Sequence, residues 1–204
     1  MEKNQVYKNR ALASLEGKWT NGVVASIIVL LISGGVGTVF DISIINGIGT
    51  AWSIILLPLM WGFAVYFLNL IRNEDIRYAR LFDGFKDYVR IFVALFLVAL
   101  CAFVGALILF IPGIIVALMF SQTSFIMKDD KEISAVDAMK KSRAMMDGHK
   151  MELFWLSLSF IGWIILCFLT LGIGFIFLFP YTYSTYAHYY EDLKAESNQN
   201  PQII

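Results

Sequence analysis

Residues 91–127 read IFVALFLVALCAFVGALILFIPGIIVALMFSQTSFIM and contain no charged side chain. One helical membrane crossing needs roughly 20 residues at about 1.5 Å each, so this stretch predicts two spans joined by a tight turn. Proline cannot continue a helix and glycine accepts a turn, which puts the predicted break at Ile111-Pro112-Gly113. As helix the stretch is about 55 Å long, slightly less than two perpendicular crossings, so a pair of re-entrant helices is the alternative.

Three other stretches also lack charge: residues 19–40, 42–71 and 153–187. The first two are each long enough for one crossing, near 19–38 and 50–71. The third is long enough for two crossings, near 151–170 and 174–191, separated by a turn at Thr170-Leu171-Gly172-Ile173-Gly174. The sequence therefore predicts six transmembrane helices.

The composition supports this interpretation. Only 16% of the residues are charged and 58% are hydrophobic, whereas a soluble domain carries about 25% charged residues. These values exclude a disordered, collagen-like or small disulfide-stapled protein and indicate an integral membrane protein. Basic and acidic residues balance at 16 each, so no overall charge predicts nucleic-acid binding. Cys101 and Cys167 lie in apolar runs, which argues against a disulfide framework and a zinc site.

The basic residues predict the orientation of the spans. With six crossings, all 16 Lys and Arg residues fall on one side of the membrane, and the other side carries only Asp41. Basic residues accumulate on the cytoplasmic side of membrane proteins. Both termini are therefore predicted to be cytoplasmic, and re-entrant hairpins would give the same result.

An acidic residue followed by glycine recurs at Glu16-Gly17, Asp83-Gly84 and Asp147-Gly148, each time before an apolar stretch. This spacing predicts three parallel repeats, each a charged stretch followed by a hairpin. The predicted fold is all-α: a polytopic membrane helical bundle of six transmembrane helices in three pseudo-repeated hairpins, with cytoplasmic amphipathic helices between them. A single membrane domain at 1–192 comprises repeats at about 5–71, 72–131 and 132–192, and a short cytoplasmic tail follows at 193–204.

The stretches between the hairpins are predicted to form amphipathic helices, each ended by its acidic-glycine pair, and one of them carries an apolar stripe from Ala135 to Met146. Lys140, Lys141 and Arg143 are candidate contacts for anionic lipid headgroups, each worth about 1 kcal/mol near an anionic surface. The alternative is that these charges only set the topology, and the sequence favours this alternative over the binding of any specific lipid.

The last predicted span is the most polar. Thr182, Thr185, Tyr186 and Tyr189 share one helical face, and the fourth span carries Gln122 and Ser124 in the corresponding region. These six residues are a candidate polar lining of a cavity between helices. The alternative is hydrogen bonding between helices together with an aromatic belt at the membrane interface, which the sequence favours.

Residues that could carry chemistry are scarce. Ionisable side chains near the middle of a membrane span mark pumps and ion sites, and the predicted spans have none near their centres. His149 and His188 lack a second ligand at metal-binding spacing. We therefore predict no catalytic, cofactor or metal site, and the protein is not expected to be an enzyme.

Four local motifs resemble a known family: Ile111-Pro112-Gly113-Ile114, Ala138-Met139-Lys140-Lys141-Ser142-Arg143, Phe160-Ile161-Gly162-Trp163 and Pro180-Tyr181. In this order they resemble the bacterial integral membrane family catalogued as domain of unknown function 975, over essentially the whole chain. The resemblance implies a bacterial inner-membrane protein and supplies no activity or cofactor.

The expected function is therefore that of a non-enzymatic scaffold or accessory protein in the bacterial inner membrane. The alternative is a small transporter, channel or lipid-handling protein with a cavity between the three hairpins. The expected partners are the lipid bilayer, anionic lipid headgroups and unidentified proteins, with no nucleic acid.

Overall fold

The computed structural model describes residues 2–35, 55–108 and 110–199, so Asp41 lies outside the described residues. Within these ranges the chain forms helices and short connections, with no strand. Leu31–Gly35 continues the second helix as a π-helical turn, and Tyr78–Phe85 is a 3-10 helix. The α-helices are α1 (Glu2–Leu15), α2 (Trp19–Leu30), α3 (Leu57–Ile71), α4 (Tyr88–Ile108), α5 (Phe110–Met119), α6 (Thr123–Asp129), α7 (Ala135–Met145), α8 (Lys150–Leu158), α9 (Ile161–Leu169) and α10 (Phe175–Gln199).

The short helix α3 lies at the centre of the fold. It is apolar on every face, which is typical of a helix enclosed by others, and α1, α2, α4, α6, α10 and the 3-10 helix pack against it. Tyr66, Phe67 and Leu68 are fully buried. Tyr183 of α10 packs edge-on against Phe63, with ring centres 4.8 Å apart. The core therefore forms around the helix that ends the second charge-free stretch.

Glycines allow α3 and the 3-10 helix to pack backbone against backbone. A Cβ atom at Gly62 would overlap the carbonyl oxygen of Leu81, and one at Gly84 would overlap that of Pro58. Gly84 therefore has a different role from the one expected. Gly17 and Gly148 have positive φ angles of 74° and 79° and follow the ends of α1 and α7, as predicted for glycine at a helix end. The expectation is wrong for Gly84, which lies inside the 3-10 helix.

The turn between α4 and α5 precedes its predicted position. Helix α5 already begins at Phe110, so the prediction that Pro112 and Gly113 form the break is wrong. Proline is tolerated in the first turn of a helix, where its missing N–H needs no partner. Gly113 instead lets α5 approach α4, since an added Cβ would lie 2.8 Å from the Cα of Ala106.

The turn between α9 and α10 lies at Thr170–Gly174 as predicted, with positive φ at Leu171 and Gly172. The predicted helix at 151–170 is divided into α8 and α9. Helix α10 continues to Gln199, beyond the start of the predicted tail at 193, and Leu193 and Ser197 are buried.

Within the described residues, three stretches are long and apolar enough to cross a membrane: Tyr88–Leu107, Ile111–Asp129 and Lys150–Leu169. A fourth is added if Lys3–Leu15 and Trp19–Ser33, which meet at 97°, count as one bent span. Helix α3 is apolar but shorter. The chain is thus a helical protein with several apolar helices compatible with a membrane location, whereas six spans and a threefold repeat stay predictions.

Candidate functional site

A cavity of about 440 Å³ lies between α3, α4, α5, α6, α8 and α10, and we call it the central cavity. These helices come from all three predicted hairpins. Three residues of the predicted polar lining border it together: Gln122, Ser124 and Tyr186. Most of the remaining wall is aliphatic or aromatic, including Trp61 and Ala64 of α3. Such a cavity, apolar with a few polar groups, is typical of small-molecule and lipid sites.

Gln122 is the most unusual polar group at the central cavity. Its side chain is only 1% exposed, and its Nε2 atom donates a hydrogen bond to the Oγ atom of Ser121 at 2.9 Å. Among the described residues, no group donates a hydrogen bond to its Oε1 atom. A buried acceptor without a partner costs about 1–3 kcal/mol. A ligand or water molecule that donates to this oxygen would remove the cost.

Several other polar groups of the central cavity have partners. Tyr186 donates to the Oγ atom of Ser157 at 3.2 Å, which joins α10 to α8. The indole nitrogen of Trp61 donates to the carbonyl oxygen of Ser124 at 3.0 Å, which joins α3 to α6. These bonds fix the walls of the cavity.

The other three predicted lining residues do not border the central cavity. Thr182 and Thr185 donate their hydroxyl groups to carbonyl oxygens of their own helix. Tyr189 donates to the carbonyl oxygen of His149 and packs against Tyr7, with ring centres 5.3 Å apart. These contacts match the alternative interpretation, in which such residues bond within and between helices.

A second cavity, of about 280 Å³, lies at the charged end of the bundle. We call it the charged pocket. It shares Trp61 with the central cavity, so one residue borders both spaces. Its charged lining residues are Glu74, Asp75, Arg80, Asp83, Lys86, Asp87, Arg90, Lys128 and Lys131.

Two atoms in the side chains of the charged pocket are buried without a hydrogen-bond partner: Oδ1 of Asn69 and Nε of Arg90. Asn69 is only 5% exposed. The terminal nitrogens of Arg90 donate to backbone carbonyl oxygens, among them that of Ile133 at 3.0 Å. Two residues that line the pocket thus carry one unused acceptor and one unused donor.

The acidic groups on the 3-10 side of the charged pocket are strongly paired. Hydrogen bonds from Arg77 and Arg80 hold the pKa of Asp75 well below its usual value. Burial alone would raise the pKa of Asp83, but hydrogen bonds from Lys86 and Arg80 outweigh it, and the pKa is lowered. These carboxylates are therefore ionised at neutral pH, and their charge is neutralised locally.

The three predicted lipid contacts lie on α7, whose apolar face packs on the bundle through Ala138 and Met145. Lys140 is exposed and forms an ion pair with Asp137 at 3.0 Å. Arg143 is exposed and Lys141 is partly exposed. They line neither the central cavity nor the charged pocket, and their role at a lipid surface stays a prediction.

Sequence reasoning missed Asn69, Arg90 and Trp61. Asn69 is a polar residue in the charge-free stretch 42–71, and that signal could have identified it. Arg90 is one of the basic residues that predict the orientation of the spans, and the sequence does not place it at a pocket. Nothing in the sequence distinguishes Trp61 from the other tryptophans.

No group of three or more His, Cys, Asp or Glu side chains is placed to hold a metal ion in the part of the chain that is described. His149 lies near Glu152 and Glu196, at 3.4 and 3.6 Å. His188 shares a hydrogen bond of 2.8 Å with Ser14.

Comparison with known proteins gives one family. The family model described as "Protein of unknown function (DUF975)" matches residues 100–197 and confirms the resemblance over these residues, whereas the sequence predicts it over essentially the whole chain. The match covers α5–α9 completely, together with much of α4 and α10. No curated protein and no solved structure matches the chain.

Proposed function

We propose that this chain is a multi-pass protein of a bacterial inner membrane that binds lipid molecules in its central cavity. The proposal includes six crossings in three parallel hairpins, with both termini in the cytoplasm. It places no catalytic step on the chain. The lipid-handling role is the alternative to a scaffold, and the central cavity favours it because a tightly packed scaffold needs no such space.

One observation carries the proposal: Gln122 is buried at the central cavity with its Oε1 atom unpartnered. A polar group without a partner inside an apolar wall is costly unless a bound molecule pairs with it. The ester and glycerol region of a lipid combines long apolar chains with a few polar atoms, which fits this wall. A strongly charged solute does not fit, because none of the residues that line the cavity is charged.

The test uses a photoreactive lipid. The purified protein is reconstituted into phosphatidylethanolamine and phosphatidylglycerol vesicles that contain a trace of phospholipid with a diazirine group in one acyl chain. After illumination, the cross-linked peptides are mapped by mass spectrometry. We expect cross-links at residues of the central cavity, such as Ser157 and Leu118, in addition to exposed apolar positions such as Phe103.

Two substitutions make the test specific. Ala64→Trp fills the central cavity from α3, and Ala117→Phe fills it from α5. Each should reduce cavity cross-linking several-fold while Phe103 stays labelled. Val104→Trp, on an exposed part of α4, is the matched control and should change neither. Cross-links confined to exposed faces and unaffected by both cavity variants would overturn the proposal, provided that the variants elute as folded protein.

A further inference from the structure

The position of the charged pocket relates it to the central cavity. Trp61 borders both, and its neighbours Ala64 and Val65 line the central cavity and the charged pocket, respectively. A molecule that lies in the central cavity against Trp61 is therefore separated from the charged pocket by the width of one side chain. This inference rests on the proposed function, because it concerns the polar end of the same lipid.

The charges of the pocket are paired unevenly. On the 3-10 side, Asp83 forms ion pairs of 2.7–3.0 Å with Lys86 and Arg80. On the opposite side the ion pairs are long: Lys128 lies 3.4 Å from Glu74 and Arg90 lies 4.0 Å from Asp87. Strong ion-paired hydrogen bonds are about 2.7–2.9 Å long. The ion pairs of Arg90 and Lys128 are thus weak, although the terminal nitrogens of Arg90 also donate to three backbone carbonyl oxygens.

Lys131 extends this basic side. It lines the pocket and forms no ion pair among the described residues. Together with Arg90 and Lys128 it provides three cations around a space large enough for a phosphate group. The unpartnered Nε–H of Arg90 is a donor that a phosphate oxygen accepts well, since guanidinium groups bind phosphate strongly.

The side chain of Asn69 requires a hydrogen-bond donor from the bound molecule. Asn69 lines the same pocket, and its buried Oδ1 atom accepts no hydrogen bond from the described residues. A phosphate at neutral pH offers mainly acceptors, so it cannot satisfy this atom. A headgroup that carries a hydroxyl or ammonium group beyond the phosphate can satisfy both Arg90 and Asn69.

We propose that the charged pocket binds a phospholipid headgroup, with Arg90, Lys128 and Lys131 at the phosphate and Asn69 accepting a hydrogen bond from its hydroxyl or ammonium group. The headgroup then lies at the charged end of the bundle while its chains reach past Trp61. The exposed cations of α7 are not part of this site.

The experiment measures lipid binding to the delipidated protein in detergent by native mass spectrometry. The probes are short-chain phosphatidylglycerol, phosphatidylethanolamine, phosphatidic acid, diacylglycerol and inorganic phosphate. We expect the first two lipids to bind more tightly than phosphatidic acid, and diacylglycerol to bind most weakly. Equal binding of diacylglycerol would overturn the proposal, and inorganic phosphate that displaces the lipids at similar concentration would identify a phosphate site instead.

The variants separate the contacts. Lys128→Gln and Lys131→Gln should each weaken binding of phosphatidylglycerol about fivefold, the effect of about 1 kcal/mol per cation at an anionic headgroup. Lys3→Gln, an equally charged change at an exposed position outside the pocket, is the control and should have no effect. Asn69→Leu should remove the preference for phosphatidylglycerol over phosphatidic acid. An unchanged preference in this variant would contradict the role of Asn69.

This inference can fail independently of the proposed function. If cavity cross-linking persists but the lysine variants bind every lipid as the wild type does, the headgroup assignment is wrong and the lipid cavity stands. If the lysine variants lose phospholipid binding while no cross-link forms in the central cavity, the chains lie elsewhere and the proposed function fails.

Discussion

Arg72 and Asp129 form a two-pronged ion pair, from Nη1 to Oδ1 at 2.6 Å and from Nη2 to Oδ2 at 3.0 Å. Arg72 follows α3 and Asp129 ends α6. The Nε atom of Arg72 also donates to Glu191 of α10 at 2.6 Å, and Tyr190 donates to Asp129 at 2.9 Å. Hydrogen bonds to these carboxylates raise the pKa of Arg72. The ends of three helices, one from each predicted hairpin, are thus held together by one guanidinium group.

Replacement of Arg72 should loosen this end of the bundle. Both side chains of the pair are only 18% exposed, so Arg72→Ala leaves two carboxylates poorly solvated. We expect a loss of about 2–3 kcal/mol in the free energy of unfolding, the range for charge-assisted hydrogen bonds. Arg72→Lys keeps the charge but not the paired geometry, and it should lose about half as much. Thermal unfolding in detergent measures both.

Arg77→Ala is the matched control for Arg72, because Arg77 is 78% exposed and pairs with Asp75. An exposed ion pair contributes about 0–1 kcal/mol. Equal losses at Arg72 and Arg77 would show that the helix ends are not held by this pair.

The lengths of the charge-free stretches identified most of the helical segments, because charged side chains are costly in an apolar environment and are absent from these stretches. The turn at Thr170–Gly174 was identifiable because Gly172 and Gly174 interrupt an apolar run, and Gly172 has a positive φ angle that glycine adopts without strain. The turn before α5 was not identifiable, since Pro112 and Gly113 also fit the first turn of a helix that approaches its neighbour closely.

Gly62 should be irreplaceable. A methyl group at this position would overlap the carbonyl oxygen of Leu81, which belongs to rigid backbone. Gly62→Ala must therefore separate α3 from the 3-10 helix, and overpacking of this kind costs about 1–3 kcal/mol. The unfolding temperature of the detergent-solubilised protein should fall accordingly.

Gly162→Ala is the matched control for Gly62→Ala, and it should stabilise the protein instead of destabilising it. Gly162 lies in α9, and nothing lies within 4 Å of an added Cβ. Alanine costs less backbone entropy in a helix, so this change should raise the free energy of unfolding by up to about 1 kcal/mol. Equal stability of Gly62→Ala and Gly162→Ala would show that Gly62 does not lie as close to the carbonyl oxygen of Leu81 as described.

Lys8 should stabilise the break between α8 and α9. Its Nζ atom donates to the carbonyl oxygen of Ser159 at 2.9 Å and lies 4.4 Å from the centre of the Phe160 ring. A cation at the end of a helix also offsets the helix dipole. Lys8→Met preserves the length of the side chain but leaves this carbonyl oxygen unpaired, and we expect a loss of about 1–2 kcal/mol in unfolding experiments.

The control for Lys8 is Lys3→Met in the same helix. The Lys3 side chain is 77% exposed and pairs with Glu152 at 2.7 Å, so its loss should cost less than about 1 kcal/mol. A larger effect at Lys3 than at Lys8 would contradict this account of the break.

The candidate site was only partly accessible from the sequence. Gln122, Ser124 and Tyr186 stood out as polar residues on predicted spans, and the structure brings them to one cavity. Thr182 and Thr185 are also polar residues on a predicted span, but their hydroxyl groups bond to carbonyl oxygens of their own helix. The sequence does not distinguish a hydroxyl group that lines a cavity from one that bonds within its helix. The charged pocket depends on contacts between distant segments, which no local pattern contains.

The six-span topology predicts different accessibility for two exposed residues. Leu171, in the turn between α9 and α10, is 95% exposed, and the Lys140 side chain of α7 is 73% exposed. Single cysteines at these positions, with Cys101 and Cys167 replaced, are tested in whole cells with a membrane-impermeant maleimide. Full crossings place Leu171→Cys outside, where it reacts at once, and Lys140→Cys inside, where it reacts only after permeabilisation. If α9 and α10 are re-entrant, neither cysteine reacts in intact cells, because the turn never reaches the outer surface.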